Sequence, residues 1–357
     1  MSSTTFILIM SSLPYLNLAG YVTKCAVILT LCTNSLLIHL TYYHVMNITL
    51  AYKCLICIMA LLGISLNMIE TIVHPYMHSY NASFIYFSTS LASRDHRLGV
   101  ALLTVYGLNY VLIICILAIQ FIYRACVVLS PSSLKWFHGW NIFIWFSYCV
   151  VFVIGNIASL TELLPDQYSK RYLSEEMSLN YDSDVDFIPS YQYVVYSQNG
   201  TIRYHNMMGV LGLSSVESFH YTVMIYCGIK IHYGLKAMGT QTSPKIYRLQ
   251  RQLFNTLLLQ ITIPSIFYNS PALLLYIIPY FDWKISFPSG LMVCFFSLYP
   301  ALDSLILMFM VADYYRVVRN KFLKMLNNLS EWAKRVSEED SEAEAETEAA
   351  GEELQQR

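Results

Sequence analysis

A chain of 357 residues that is 56% hydrophobic and only 13% charged, with a mean hydropathy of +0.46, is too apolar for an ordinary water-soluble protein of its length. The formal net charge of −1 leaves no basic excess of the kind that nucleic acid demands. No GxxxxGK[ST], HExxH or GxSxG pattern occurs, so an enzyme, a cofactor and a metal are not expected.

Seven stretches are apolar and long enough to cross a hydrocarbon core of roughly 30 Å: about 16–41, 51–73, 98–123, 140–161, 207–229, 253–278 and 287–311. The fold class expected is an all-α membrane protein, a seven-transmembrane helix bundle. An odd number of spans puts the termini on opposite sides. Of the 22 Lys and Arg, Lys24 falls in the first span, about 15 lie in the even-numbered connections and the tail, and about 6 lie on the other face (Arg94, Arg97, Lys170, Arg171, Arg203 and Lys284). The positive-inside rule then places the N-terminus, residues 1–15, outside and the C-terminus in the cytoplasm. Without a basic n-region or cleavage site before Leu16, the first span is expected to act as its own anchor.

The first span carries Asn34 and His39, and a lone Asn there reads as an interhelical hydrogen-bonding group. Asn67 and Glu70 lie near the outer end of the second, where a carboxylate can reach headgroup water. Cys54 and Cys57 form a CxxC that reads as small packing residues, because no second ligand pair accompanies it. All nine cysteines fall in spans or on the cytoplasmic side, so no extracellular disulfide is available.

The third span, LGVALLTVYGLNYVLIICILAIQFIYR, has no charge until Arg124. Tyr106, Asn109 and Gln120 return to one face at a period of 3.6. An unpaired amide in hydrocarbon costs several kcal/mol, so that stripe faces protein or water and the helix is central. The connections at 75–97 and 162–206 carry the sequons Asn81-Ala82-Ser83 and Asn199-Gly200-Thr201 on the outer face, making Asn81 and Asn199 glycosylation candidates. The second connection is acidic, with Asp166, Glu175, Glu176, Asp182, Asp184 and Asp186, and is expected to form a polar, partly ordered lid.

Glu217 lies roughly ten residues into the fifth span, about 15 Å deep. It shares a face with Ser214, His220 and Tyr221. Two readings stand for it: a functional contact, or a structural acid that is protonated or paired with His220. The loop at 230–251 concentrates Lys230, Lys236, Lys245, Arg248 and Arg251, suited to anionic lipid or a cytoplasmic partner. In the sixth span Gln260, Pro264, Tyr268, Asn269 and Pro271 fall within three turns, and the prolines predict a kink. The seventh contains Tyr299, Pro300 and Asp303. Residues 312–329 read as a basic amphipathic helix on the inner leaflet, and 330–357 as an acidic disordered tail.

Several runs in order resemble one family: NSLLIHLTYY in the first span, HPYMHSYNASFIYF after the second, QFIYR ending the third, LQRQLF entering the sixth, and SLYPALDS with DYYR closing the seventh. Over about residues 15–325 the chain is similar to the nematode seven-helix chemoreceptors of the Str superfamily, serpentine receptor class r, the class that contains odorant receptors. The resemblance implies a G-protein-coupled receptor for small environmental chemicals in the ciliary plasma membrane of sensory neurons. Carried onto matching positions, Gln120, Tyr123 and Arg124 would meet the G protein, joined by the basic Lys245, Arg248 and Arg251, while Tyr299, Pro300 and Asp303 would form a switch. The chain departs in having Ser304 where the family often has Pro. The partners expected are an odorant ligand, a heterotrimeric G protein and membrane lipids. Ligand contacts are expected from Tyr106, Asn109, Glu217, His220, Tyr268 and Asn269, among helices 3, 5, 6 and 7. Two alternatives are an odorant-gated channel, whose orientation the basic bias opposes, and a transporter with its site at Glu217, which lacks an internal repeat.

Overall fold

The computed structural model describes residues 13–45, 48–90, 95–238, 243–283, 286–288 and 290–355. Seven membrane-length helices form the bundle: α1 (Leu13–Tyr43), α2 (Leu50–Val73), α3 (His96–Leu129), α4 (Ile142–Thr161), α6 (Tyr204–Met238), the pair α7 (Pro244–Pro264) and α8 (Ser270–Phe281), and α9 (Gly290–Met310). A shorter helix, α5 (Gln167–Tyr181), lies in the connection between α4 and α6, and α10 (Ala312–Gln355) follows α9. Among the described residues, six spans qualify for a membrane by length and apolarity. The remaining bundle helix, α6, is 35 residues long, and its run of Ser214, Ser215, Glu217, Ser218 and His220 keeps its hydropathy down.

The third helix is central, as its polar stripe implies: α3 packs on α2, α4, α6 and α7. In its C-terminal half Ile113–Phe121 is buried without interruption. A Cβ built on Gly212 would collide with the Ser159 hydroxyl, so α6 and α4 pack closely there and a larger residue would have to displace the Ser159 side chain. The sixth membrane crossing is broken as its prolines require. Between α7 and α8, Ser265–Asn269 winds as a π-helix. Pro271 would press on the carbonyl four residues back, at Phe267, and the wider turn there relieves that clash.

Polar side chains link α1, α2 and α9. Asn67 Nδ2 donates to Thr30 Oγ1 (2.7 Å) and to the Ser297 carbonyl (3.0 Å), and Asn34 Nδ2 donates to the Pro300 carbonyl (3.4 Å). Ser304 donates to Asn34 Oδ1, an interhelical bond that proline could not make. Glu70 does not reach headgroup water: it is buried, and the hydroxyls of Thr23 and Ser297 donate to it. The helical period turns it inward between α1 and α9, which outweighs its nearness to the helix end.

One end of the bundle carries an antiparallel sheet of four strands in the order β3-β2-β1-β4, where β1 is Pro75–Tyr80, β2 Ser83–Ser88, β3 Ser190–Val194 and β4 Ser286–Pro288. It lies where the sequence reading expects connections and the start of the seventh span. The β1–β2 hairpin turns through Asn81, whose φ of 48° is the left-handed conformation that Asn tolerates. Both faces are covered. Phe84, Tyr191 and Tyr193 pack toward Leu103, Leu160, Val210 and Leu275 of the bundle, whereas Tyr76, Ile85 and Phe87 pack under Leu173, Met177 and Tyr181 of α5. The acidic connection is therefore an ordered lid, and its charges cap or pair: Asp166 caps α5, and Lys170 holds Asp186 at 3.0 Å.

At the far end, α10 exposes Phe322, Met325, Leu326 and Leu329 at helical spacing. The helix runs on to Gln355, where the composition of the tail suggests disorder; its Glu and Ala are strong helix formers.

Candidate ligand chamber and the opposite pole

Beneath the sheet lies a chamber of about 90 Å3. One water needs about 10–15 Å3 by that measure, so the space takes about seven waters, or a compact molecule of about ten heavy atoms. Its walls come from α3, α4, α6, α8, α9 and the first three strands, and they are almost wholly apolar, with aromatic rings (Tyr86, Tyr106, Tyr110, Tyr191, Tyr276 and Phe296 among others) alternating with aliphatic side chains such as Ile114, Leu160 and Val210. Phe296 stands edge-on to Tyr106 and Tyr110, with ring centres 5.8 and 5.1 Å away. Several hydroxyls are already engaged: Tyr86 donates to the Leu103 carbonyl at 3.3 Å, Tyr191 bonds Thr104 at 2.7 Å, and Tyr110 donates to Asn269 Oδ1 at 2.7 Å.

Of the expected ligand contacts, the chamber wall includes Tyr106 and Glu217. The others sit elsewhere. Asn109 donates across to Ser65 of α2. Asn269 lies one bond behind the wall, accepting from Tyr110 and donating to Tyr221. His220 is fully buried toward α3 and α4, with Nε2 3.2 Å from Cys115 Sγ and the ring 4.4 Å from that of Phe152. Its Nδ1 donates to the Val216 carbonyl at 2.6 Å, so it does not pair with Glu217. The Tyr268 side chain lies outside the described residues. Sequence reasoning missed the strand residues Phe84, Tyr86, Tyr191 and Tyr193. Their i, i+2 spacing puts each pair on one face of a strand, but the long-range pairing that brings them to the wall leaves no local signal.

Alpha5 is fastened to the sheet by a buried polar knot. A carboxylate only accepts, so His78 donates from Nε2 to Glu176 Oε1 at 3.0 Å, and its Nδ1 takes the Tyr181 hydroxyl at 3.0 Å. Ser286 and Asn180 donate to the same oxygen at 2.6 and 2.8 Å. Burial alone would push the Glu176 carboxyl up, but these bonds outweigh it and hold the group below the usual glutamate range. A depressed folded value adds stability that is present above the ordinary value of about 4.3 and is lost as pH falls through the folded value. Amide exchange in α5 and β1 is therefore expected to quicken below about pH 4 while α3 stays protected, and Glu176→Gln should abolish that pH step.

At the opposite pole Arg124 is buried, its guanidinium 3.8 Å from the Tyr52 ring centre. Its Nη1 donates to Gln250 Oε1 of α7 at 2.9 Å. Tyr123 stacks on Tyr52 at 5.4 Å and bonds Thr49, and Gln120 is buried one turn inward. Lys245, Arg248 and Arg251 are exposed along the first turns of α7. Tyr299 donates to Asp303 at 3.5 Å, one turn along α9 beside Pro300. Gln250 is a residue that sequence reasoning did not single out, although it sits in the LQRQLF run.

Residues 19–319 match the model of the serpentine type 7TM GPCR chemoreceptor Str family. The chain is 35% identical over 315 residues to G-protein coupled receptor str-33 of Caenorhabditis elegans, covering 86% of this chain and 91% of that one. It is 28% identical to serpentine receptor class r-10 of the same organism, over 85% and 91% of the two chains. Squid rhodopsin shares the fold, with a TM-score of 0.51 at 15% identity, over 88% of this chain and 82% of its own. The chain belongs to the Str family of serpentine seven-transmembrane chemoreceptors, a family of receptors and not of enzymes.

Proposed function

We propose that this chemoreceptor binds a small odorant or metabolite in the aromatic chamber and activates a heterotrimeric G protein at the pole of Arg124. The observation that carries the reading is the pairing of one roofed aromatic chamber with a far end where a buried arginine is tied to α7 among exposed cations. The surplus of Lys and Arg at that far end supports a reading in which it faces the cytoplasm and the sheet the outside. Agonist binding would favour a state with the α3–α7 tether open, through differential affinity for two conformations. The site of action is the plasma membrane of sensory cilia.

The test is a second-messenger or calcium response in cells expressing the chain with a Gα subunit, against a panel of small metabolites with and without a G-protein blocker. A response abolished by the blocker and by Arg124→Ala, at equal surface expression, supports the reading. A current that survives both sinks it.

The two outer sequons differ in presentation. Asn199 is exposed in a turn with Gly200 at a φ of 74°. Asn81 sits in the tight β1–β2 turn, and Ser83 of its sequon is fully buried. Asn199→Gln is expected to remove most of the glycosidase-sensitive mass from the expressed protein, and Asn81→Gln little.

A further inference from the structure

Glu217 is the acidic residue of the chamber wall, and no lysine, arginine or histidine accompanies it there. Among the described residues no donor pairs with its carboxyl, and His220, one turn on, spends both ring nitrogens on Val216 and Cys115. The other wall groups are aromatic rings and aliphatic side chains in about equal number, with the amide of Asn156 and the unpartnered hydroxyl of Tyr193. A carboxylate facing apolar walls is strongly disfavoured unless a partner satisfies it. Aromatic faces carry negative potential, which repels anions and attracts cations. The chamber thus presents one acid and a set of cation-attracting rings, in a space of about ten heavy atoms.

We propose that the receptor's ligand class is a small protonated amine, its ammonium seated on the Glu217 carboxylate and its carbon skeleton among Tyr106, Tyr110, Tyr276 and Phe296. An ammonium supplies the donors that the carboxylate lacks, and a charge-assisted bond is roughly twice as strong as a neutral one. If the free amine enters while Glu217 holds a proton, that proton passes to the amine nitrogen, and the bound pair is the same. An alcohol or ketone of equal shape fills the space but leaves the acid without a cation. Specificity of this kind is steep, because it comes from leaving a buried polar group unpaired.

This inference rests on the chamber being the ligand site, and the experiment separates the two. The full-length receptor in lipid nanodiscs is heated with primary amines of up to about ten heavy atoms, 2-phenylethylamine among them, and with the alcohols of the same skeletons. Ligand binding raises the melting temperature by mass action. The expected result is stabilisation by at least one amine at a concentration 100-fold or more below that needed for its alcohol. Glu217→Gln should erase that difference, whereas the nearby but outward Ser218→Ala leaves it intact. Alcohols that stabilise both proteins while the amines do nothing overturn the amine class and keep the chamber. Silence of both series also overturns the amine class. An amine effect that survives Glu217→Gln but is lost when Gly107 is enlarged keeps the chamber and removes Glu217 from the contact.

Discussion

Replacing Gln250 with leucine is expected to raise ligand-independent signalling by about tenfold or more at unchanged surface expression. The Arg124–Gln250 bond, at 2.9 Å, ties the C-terminal part of α3 to the N-terminal part of α7 through a buried guanidinium. A hydrogen bond to a charged group contributes about 1.5–3 kcal/mol, and each 1.4 kcal/mol shifts an equilibrium tenfold, so losing it moves the closed-to-open ratio by roughly 10- to 150-fold. Leucine keeps the bulk of the side chain and removes its acceptor. Arg124 still has the face of Tyr52, so the residue remains placed for a partner. Arg124→Ala should do the opposite, silencing the receptor with or without agonist. Basal output is measured in the same Gα-expressing cells without ligand; a basal level equal to the wild type would show that the tether does not hold the resting state.

The second large effect is expected from Gly107→Phe. Gly107 lines the chamber from α3, and a Cβ built there meets nothing within 4 Å. The Cβ itself finds open space, and a benzyl group added there enlarges a wall residue of a chamber of about 90 Å3. Folding should not suffer, because glycine inside a helix is itself about 1 kcal/mol worse than alanine and phenylalanine less so. Agonist potency should fall at least 100-fold, while surface expression and the basal signal of a Gln250→Leu background persist. A double variant that still responds to agonist at wild-type potency would place the ligand elsewhere in the bundle.

The bundle was legible because hydropathy and the 3.6 period act locally: the polar stripe of α3 alone identifies it as central. The proline pair around Ser265–Asn269 likewise announces a break, since a missing donor and a ring clash are properties of the residue itself. The sheet was not legible. Its strands are buried on both faces, so PYMHSY and SFIYFS show no apolar-polar alternation, and β3 and β4 find their partners more than a hundred residues away. The same limit governs the site. Composition flags Glu217 and Tyr106 as polar groups at membrane depth, but only rotation about the helix axis decides that Glu217 opens on the chamber while His220 turns to Cys115. Tyr191 and Tyr193 reach the wall through a pairing with β2 that no local pattern encodes.

That long-range pairing also sets an order of assembly. Residues 75–88 form their hairpin early in synthesis, yet β3 arrives about a hundred residues later and β4, which pairs Ser286 with Tyr80, only as the last bundle helix emerges. Until then the hairpin carries open edges, a hazard for stray strand pairing, and contacts of such sequence separation are slow to close. The roof of the chamber therefore closes late, and a finished roof marks a chain that has been synthesised at least as far as Pro288.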